Sequence, residues 1–231
     1  FKQKTHSIHR MKHKFFEIKN IFPTSKLAIG PTVENGFYYD IEFKTPITQQ
    51  DLAKIETEMK NIIKSDFPIE RLVYSKREAV KIFKDFSEPY KVELINSVPT
   101  KEEVSCYRQG DFMDLCRGPH VENTKFLRGF AFKINRASGA YWRGSEKNKM
   151  LTRVYGTAFT KNADLEEYLQ YLEDIKKRDH NKLGREMEIF TTVDVVGQGL
   201  PLMLPNGVKM ILKLQRWIED LEDKEWGYVR T

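Results

Sequence analysis

Residues 112–120 read FMDLCRGPH and bring a carboxylate, a thiol, a guanidinium and an imidazole together in a short stretch of chain. Proline fixes its own φ angle and glycine tolerates backbone angles that other residues avoid, so Gly118-Pro119 predicts a tight turn. We expect a short strand before this turn, and the turn should return His120 toward Cys116. Side chains two positions apart on a strand share a face, which puts Asp114 beside Cys116.

Two interpretations of this segment are open from the residues alone. A Cys-x-x-x-His pair with a nearby aspartate can bind a metal ion or line a small polar pocket. Alternatively, Cys116 is a buried thiol, Asp114 and Arg117 form a surface ion pair, and His120 merely belongs to the turn. Because short motifs often match by chance, the rest of the chain has to decide.

The composition is typical of a folded protein with a substantial core. The 231 residues are 40% hydrophobic and 31% charged, which suits one large domain or one domain with part of a second. The net charge of +6 permits a nucleic-acid partner without requiring one. Two cysteines, no signal peptide and no membrane-spanning stretch predict a cytoplasmic protein with free thiols.

Helical and alternating patterns follow one another without regular βαβ order, which predicts an α+β fold with a largely antiparallel sheet packed by helices. Residues 36–43 alternate, so Tyr39 should face the core, where its hydroxyl needs a partner. Thr48 is expected to begin a helix. Residues 89–95 fit a strand or a short helix equally well.

The second half of the chain changes from strands to helices. Residues 130–134 and 139–142 predict two separate strands, and 150–159 predict a strand that its glycine interrupts. A long charged helix is expected over 163–185 and an amphipathic helix over 208–226. The chain begins without methionine and stops in the middle of a pattern, so we expect it to be a piece of a longer protein.

The N-terminal segment 1–22 is basic and helical in tendency, and Pro23 should end it. His6, His9 and His13 recur three and then four positions apart, so they share one helical face. Such a face can present imidazoles to a pocket or a metal ion, or it is simply a polar helix surface.

Six segments of this sequence, in the same order, resemble the editing domain of bacterial-type threonyl-tRNA synthetases. In that family the Asp-x-Cys-Arg-Gly-Pro-His pattern, found here at 114–120, lines a deacylation pocket. The other matching segments are 28–31 (AIGP), 35–40 (NGFYYD), 90–92 (YKV), 139–144 (GAYWRG) and 153–159 (RVYGTAF). The resemblance extends over nearly the whole chain.

The resemblance implies an editing domain over 1–161, a connector helix over 162–186, and the truncated start of a class II catalytic domain over 187–231. The parent protein, a cytoplasmic homodimer, would attach threonine to tRNA(Thr) with ATP, Mg²⁺ and one catalytic Zn²⁺ bound outside this fragment. A threonine site cannot strongly exclude serine, because one methyl group contributes only about 1–3 kcal/mol of discrimination. This fragment would therefore hydrolyse mischarged seryl-tRNA(Thr), with the tRNA acceptor end and the serine ester as partners and no metal of its own.

The resemblance also implies a role for each residue of the pocket. Asp114 would hold the seryl ammonium and hydroxyl groups. Lys91 and the histidines His9 and His13 would position the water or stabilise charge, although sequence alone gives no reason to distinguish Lys91 from a solvated surface lysine. Cys116 and His120 would be further catalytic residues that line the pocket near the terminal adenosine, and Tyr39 and Arg117 would bind the substrate or the tRNA.

The histidines depart from the spacing of the family, which has His-Ser with a second histidine four residues after the first. Here His6-Ser7 is followed by a histidine at +3, whereas His9 and His13 keep the +4 spacing without the serine. Counted back from Pro23, His9 and His13 fall on the two histidine positions of the family only if one residue has been deleted before Pro23. Either the helix is shifted and the His9–His13 pair is still catalytic, or the domain has lost its hydrolytic activity and serves as a structural and tRNA-contact module.

A zinc site is the third alternative. His9, His13, Cys116 and His120 together resemble the ligand set of alanyl-type editing domains, and four N and S donors suit tetrahedral Zn²⁺. The protein would then be a freestanding zinc-dependent deacylase, which the synthetase-like tail over 187–231 disfavours.

Overall fold

The computed structural model describes residues 18–33, 36–99, 102–197 and 199–228. It confirms the predicted α+β fold with antiparallel sheets. The chain divides into two compact units, Phe1–Glu166 and Glu167–Thr231. The domain boundaries expected after residues 161 and 186 remain predictions.

The strands of the described residues form three antiparallel sheets. They are β1 (Lys26–Leu27), β2 (Thr32–Val33), β3 (Gly36–Glu42), β4 (Glu70–Tyr74), β5 (Val104–Gln109), β6 (Phe112–Leu115), β7 (Ala131–Tyr141), β8 (Met150–Phe159), β9 (Phe190–Thr191) and β10 (Leu202–Met203). In the five-stranded sheet, β3 pairs with β1, β2 and β8, and β8 pairs with β7. In the three-stranded sheet, β5 lies between β4 and β6, and β9 pairs with β10 separately.

Helices alternate with these strands along the chain. The described helices are α1 (Ile18–Ile21), α2 (Gln49–Lys64), α3 (Lys76–Asp85), α4 (Pro89–Ser97), α5 (Asn162–Lys177), α6 (His180–Glu186) and α7 (Pro205–Lys224), with short 3-10 segments at Thr124–Leu127 and Trp142–Gly144. As predicted, α2 begins after Thr48. The Thr48 hydroxyl accepts a hydrogen bond from the Asp51 backbone N–H, and the Asp51 carboxylate accepts one from the Thr48 backbone N–H, which forms a capping box.

The main core lies between one face of the five-stranded sheet and α2. Alternation along β3 sends Phe37, Tyr39 and Ile41 to this core, and each is at most 3% exposed. The ring of Phe37 lies over Gly156, where an added Cβ would be 2.4 Å from the ring. The prediction of an interrupted strand is therefore wrong: β8 runs unbroken, because Gly156 makes room for a core ring and does not form a turn.

A second, smaller core lies between the three-stranded sheet and helices α3 and α4. Its fully buried members are Ala79, Phe83, Ile95, Val104 and Cys106. The ambiguous residues 89–95 belong to helix α4, which begins with a proline. Proline suits the first helical position because the backbone N–H there has no partner inside the helix.

The two strands predicted at 130–134 and 139–142 are one strand, β7. A register shift between Ile134 and Arg136 leaves Asn135 as a bulge, and pairing with β8 continues beyond it. A bulge bends a strand and locally reverses the alternation of its side chains, so the sequence pattern is broken although the strand is not.

The predicted connector helix over 163–185 is also different in the structure. α5 ends at Lys177, and α6 begins after Asp179, whose side chain accepts hydrogen bonds from the backbone N–H groups of Asn181 (2.8 Å) and Lys182 (3.0 Å). An aspartate in this position starts a new helix, because it satisfies N–H groups that a continuous helix would pair internally.

Candidate active site

A cavity of about 520 Å³ in the first unit contains every predicted site residue that the structure describes. It lies between segment 28–31, the C-terminal part of α4 and the hairpin of β5 and β6. Its lining includes Tyr39, Lys91, Asp114, Cys116, Arg117 and His120. The other two predicted residues, His9 and His13, lie outside the described residues.

Helix α4 places Lys91 in this cavity because contacts of two residues just before Lys91 fix the start of the helix. Glu88, just before the helix, accepts a hydrogen bond from the Leu27 backbone N–H (2.8 Å). The Tyr90 hydroxyl is hydrogen-bonded to Glu42, and its ring packs against Trp142 with centroids 5.1 Å apart. Lys91 is only 3% exposed as a result, so it is not the solvated surface lysine that sequence alone suggests.

Lys91, Tyr39 and Asp114 form a closed hydrogen-bonded network. The Lys91 ammonium donates to the Tyr39 hydroxyl (2.8 Å), and that hydroxyl donates to Oδ2 of Asp114 (2.6 Å). Lys91 also forms an ion pair with Oδ1 of Asp114, which accepts a hydrogen bond from the Leu115 backbone N–H (2.7 Å). The partner expected for the Tyr39 hydroxyl is thus identified.

Burial determines how this network behaves. Burial, and then the nearby Asp114 carboxylate, raise the pKa of Tyr39 well above its ordinary value. Tyr39 therefore stays protonated and acts as a hydrogen-bond donor at neutral pH. A buried charge must be paired and hydrogen-bonded to be tolerated, so the Lys91 ammonium and the Asp114 carboxylate depend on each other.

The β5–β6 hairpin sets the position of Asp114 and Cys116. Tyr107 of β5 lies opposite Asp114 of β6 in the ladder. Beyond the end of β6, the Cys116 backbone N–H donates to the Ser105 carbonyl (3.2 Å), and the Ser105 hydroxyl donates to the Cys116 carbonyl (2.7 Å). The two predicted neighbours consequently line the same cavity.

The predicted return of His120 toward Cys116 is confirmed. Nε2 of His120 lies 2.9 Å from Sγ of Cys116, within hydrogen-bonding distance. The turn between them has Gly118 at φ +72° and a cis peptide to Pro119. A side chain at Gly118 would collide with the Tyr107 hydroxyl, since an added Cβ would be 1.9 Å away.

Tyr107 and Ser105 contact the residues of the candidate site, and sequence reasoning missed them. The Tyr107 ring packs edge-on against His120, with centroids 4.3 Å apart, and its hydroxyl lies against Gly118. The short turn at Gly110 fixes the register of the hairpin. Pairing the two strands about that turn would have placed Tyr107 opposite Asp114 from sequence alone.

The two cysteines have different environments. Cys106 is completely buried, and burial raises the pKa of its thiol to about 12. Such a thiol is inert. Cys116 lines the cavity beside an imidazole, so it is the cysteine that a substrate can reach.

The surface ion pair suggested for Asp114 and Arg117 does not form within the described part of the chain. Asp114 is paired with Lys91, whereas Arg117 is exposed at the edge of the cavity. The polar-pocket interpretation of the segment is therefore the one that the structure supports.

The described residues contain no group of three or more His, Cys, Asp or Glu side chains that could hold a metal ion. Cys116 and His120 supply one S and one N donor, which suit zinc, but the other two predicted ligands lie outside the described residues. The zinc site remains a prediction. No helix among the described residues is long and apolar enough to cross a membrane.

Known proteins match both the site and the chain around it. Residues 104–155, which include Asp114, Cys116 and His120, match the family model of the threonyl and alanyl tRNA synthetase second additional domain. The site therefore belongs to a domain of the aminoacyl-tRNA synthetases.

Longer relatives distinguish between the two kinds of synthetase. A threonine--tRNA ligase from Clostridium botulinum is 53% identical over 94% of this chain and 33% of its own length. Threonine--tRNA ligases from Clostridium perfringens and Acetivibrio thermocellus are 55% and 49% identical over 93% and 91% of this chain. The chain belongs to the threonyl-tRNA synthetase family and spans about one third of the length of these relatives.

Proposed function

We propose that this part of the protein hydrolyses the ester bond of seryl-tRNA(Thr), the product formed when serine is attached in place of threonine. The observation that carries the proposal is the convergence of the Lys91–Tyr39–Asp114 network and the Cys116–His120 pair on one cavity. Ester hydrolysis needs an anchored substrate, donors for the developing oxyanion and a group that activates water.

Asp114 is the anchor for the aminoacyl group. Its carboxylate is the acidic group of the network, and serine brings one ammonium and one hydroxyl that can donate to it. The Lys91 ion pair and the Leu115 N–H hold this carboxylate in one orientation, so it does not reorganise when the substrate enters.

Lys91 is the donor for the oxyanion, because an ammonium has three N–H groups and Lys91 gives one to Tyr39 and one to Asp114, whereas the single proton of the Tyr39 hydroxyl is donated to Asp114. Lys91 is buried and already oriented by Asp114, and a buried donor acts in a medium where electrostatic interactions are strong. Removing one such donor from an acyl-transfer site typically lowers the rate by about 10²–10³-fold.

Water activation requires a base with a pKa near neutrality, which histidine provides. His120 is the imidazole that the described residues bring to the cavity, where Cys116 and Tyr107 fix its ring. His9 and His13 are the further candidates for this role.

We further propose that the protein of which this chain forms part attaches threonine to tRNA(Thr) with ATP. ATP, Mg²⁺ and the catalytic Zn²⁺ would bind outside this chain, and the enzyme would be a cytoplasmic homodimer. The names of the relatives and the match over nearly the whole chain support this proposal.

The decisive test is the hydrolysis of purified seryl-tRNA(Thr) by the 231-residue chain. Threonyl-tRNA(Thr) is the substrate control, and Asp114→Asn is compared with Asp85→Asn, which changes an exposed aspartate. We expect rapid loss of serine only, abolished by Asp114→Asn and unchanged by Asp85→Asn.

A rate no better than that of buffer, from a folded chain that still binds tRNA, would instead identify a degenerate domain. Measurement of protein-bound zinc separates the third alternative. A zinc content near one per chain, with activity lost on chelation, would replace the network mechanism with a metal-dependent one.

A further inference from the structure

The outer face of the five-stranded sheet carries four side chains that the proposed hydrolysis does not use. They form a continuous arginine–tyrosine row, Arg136–Tyr155–Tyr38–Arg153, which we call the outer row. Tyr155 lies opposite Arg136 on one side and Tyr38 on the other, in the ladders of β8 with β7 and β3. Because Tyr38 and Tyr39 are adjacent on β3, they point to opposite faces, so the outer row is separate from the cavity.

The members of the outer row are stacked. The Arg136 guanidinium lies 4.4 Å from the centroid of the Tyr155 ring, and the Arg153 guanidinium lies 4.0 Å from that of Tyr38. The two tyrosine rings are 6.0 Å apart. The result is a surface of two neighbouring aromatic rings with a cation at each end, built on three paired strands.

One end of the outer row is held rigidly. Asp40 is 2% exposed and accepts two hydrogen bonds from Arg153, from Nε to Oδ1 (2.7 Å) and from Nη2 to Oδ2 (2.8 Å). Such a bidentate pair fixes the guanidinium plane, and the hydrogen bonds to Asp40 raise the pKa of Arg153 above its already high value. Tyr38 is therefore held against a fixed partner.

Arg136, at the other end of the outer row, carries a positive charge that a ligand can reach. Arg136 is exposed, and within the described ranges no acidic side chain forms an ion pair with it. Its charge is therefore not neutralised, whereas that of Arg153 is. An unneutralised cation beside a partly exposed aromatic ring offers one contact for a phosphate and one for a planar base.

We propose that the outer row binds unpaired nucleotides of an RNA strand. A base would stack on the Tyr155 and Tyr38 surface, and the adjacent phosphate would pair with Arg136. Stacking on aromatic rings is open to unpaired bases, because paired bases are already stacked within a duplex. An acidic peptide would use the charge of Arg136 but would gain little from the tyrosine rings.

The test is the affinity of the 231-residue chain for a fluorescein-labelled single-stranded RNA of about 12 nucleotides, measured by anisotropy over a range of salt concentrations. We expect Tyr155→Leu to weaken binding about five- to a hundredfold. We expect Arg136→Gln to weaken binding and to reduce the slope of log affinity against log salt by about 0.7.

Matched controls lie elsewhere on the chain. Tyr171→Leu removes an exposed tyrosine from α5, and Arg71→Gln removes an exposed strand arginine from β4. Neither should change the affinity by more than about twofold, as is usual for surface residues away from a binding site. Tyr155→Phe keeps the ring and should bind like the wild type. A loss of affinity in Tyr155→Leu but not in Tyr155→Phe would therefore come from the missing ring.

Three results would overturn the proposal. They are unchanged affinity in both Tyr155→Leu and Arg136→Gln, equal affinity for a duplex of the same length, and no measurable RNA binding by the folded chain. None of these bears on ester hydrolysis, so this proposal and the proposed function fail independently.

Discussion

Two carboxylates, the buried Glu56 on α2 and the partly buried Asp114 on β6, are held by similar partners but have different surroundings. Glu56 is 6% exposed, accepts a hydrogen bond from the Ile134 backbone N–H (3.1 Å), and forms ion pairs with Lys60 (2.7 Å) and Lys133 (3.2 Å). Asp114 likewise has a lysine and a backbone N–H as partners, but it also has Tyr39 and lines the 520 Å³ cavity.

The difference distinguishes a carboxylate that stabilises the fold from one that is placed to take part in catalysis. Glu56 joins α2 to β7, and the cations that neutralise it are half-exposed lysines on the surface. Asp114 is neutralised by Lys91, which is itself buried and faces the same cavity. A substrate in the cavity can therefore share the partners of Asp114, whereas Lys60 and Lys133 are not among the residues that line this cavity. The predictions below test this distinction.

The largest effect is expected for Lys91→Met. It removes an oxyanion donor and leaves the Asp114 carboxylate without its cation, so the rate of seryl-tRNA(Thr) hydrolysis should fall by at least about 100-fold. Single-turnover kinetics at saturating enzyme would measure it. The matched control is Lys133→Met, which removes a lysine from Glu56 and should leave the rate within about twofold. Equal rates in the two variants would contradict the distinction drawn between Asp114 and Glu56.

Glu56→Ala should show the opposite pattern, with a large effect on stability and none on chemistry. It leaves the buried Ile134 N–H without an acceptor and two ammonium groups without a counter-charge, so the free energy of unfolding should fall by about 3 kcal/mol. Urea denaturation would measure this loss. Glu56→Gln keeps an acceptor for the N–H and should lose less. A fall in hydrolysis per folded molecule would show that Glu56 is not purely structural.

Tyr39→Phe tests the hydroxyl that joins Lys91 to Asp114. Removing it leaves the ion pair in place, so we expect a fall in rate of about tenfold, or about 1.4 kcal/mol of transition-state stabilisation. The rate measured beside Tyr171→Phe, an exposed tyrosine of α5, would isolate this loss. A loss as large as that of Lys91→Met would mean that the Lys91 ammonium depends on this hydroxyl for its position.

Much of this site could be predicted from the sequence because its residues obey local rules. The alternation along 36–43 placed Tyr39 in the core, and the Gly118-Pro119 turn brought His120 back to Cys116. Both inferences use only backbone geometry over a few residues, and such inferences are the most reliable from sequence.

The remaining features depend on tertiary packing, which no local pattern records. The burial of Lys91 depends on contacts of Glu88 and Tyr90 with distant strands. The bulge at Asn135 and the helix break at Asp179 each change a pattern that is otherwise continuous. The roles of His9 and His13 stay predictions.

The smallest expected effect concerns acid pH and again separates the two carboxylates. Burial alone would raise the pKa of Glu56, but hydrogen bonds from Lys60, the Ile134 N–H and Lys133 outweigh it and hold the pKa below its ordinary value. In the unfolded chain the pKa of a glutamate is about 4.3, so as the pH falls the unfolded chain binds the proton before the folded state does. The stabilisation is thus complete above this pH and is lost as the pH falls through the lower folded pKa.

The measurement is the free energy of unfolding of the wild type and of Glu56→Gln, from urea denaturation between neutral pH and the onset of acid unfolding. Glutamine does not titrate, so the gap in stability between the two proteins should be constant at neutral pH and should narrow as the pH falls below about 4.3. A gap that stays constant throughout would mean that Glu56 contributes through its hydrogen bonds alone. In that case its charge would not matter to the fold, and the contrast with Asp114, whose proposed role requires charge, would become sharper.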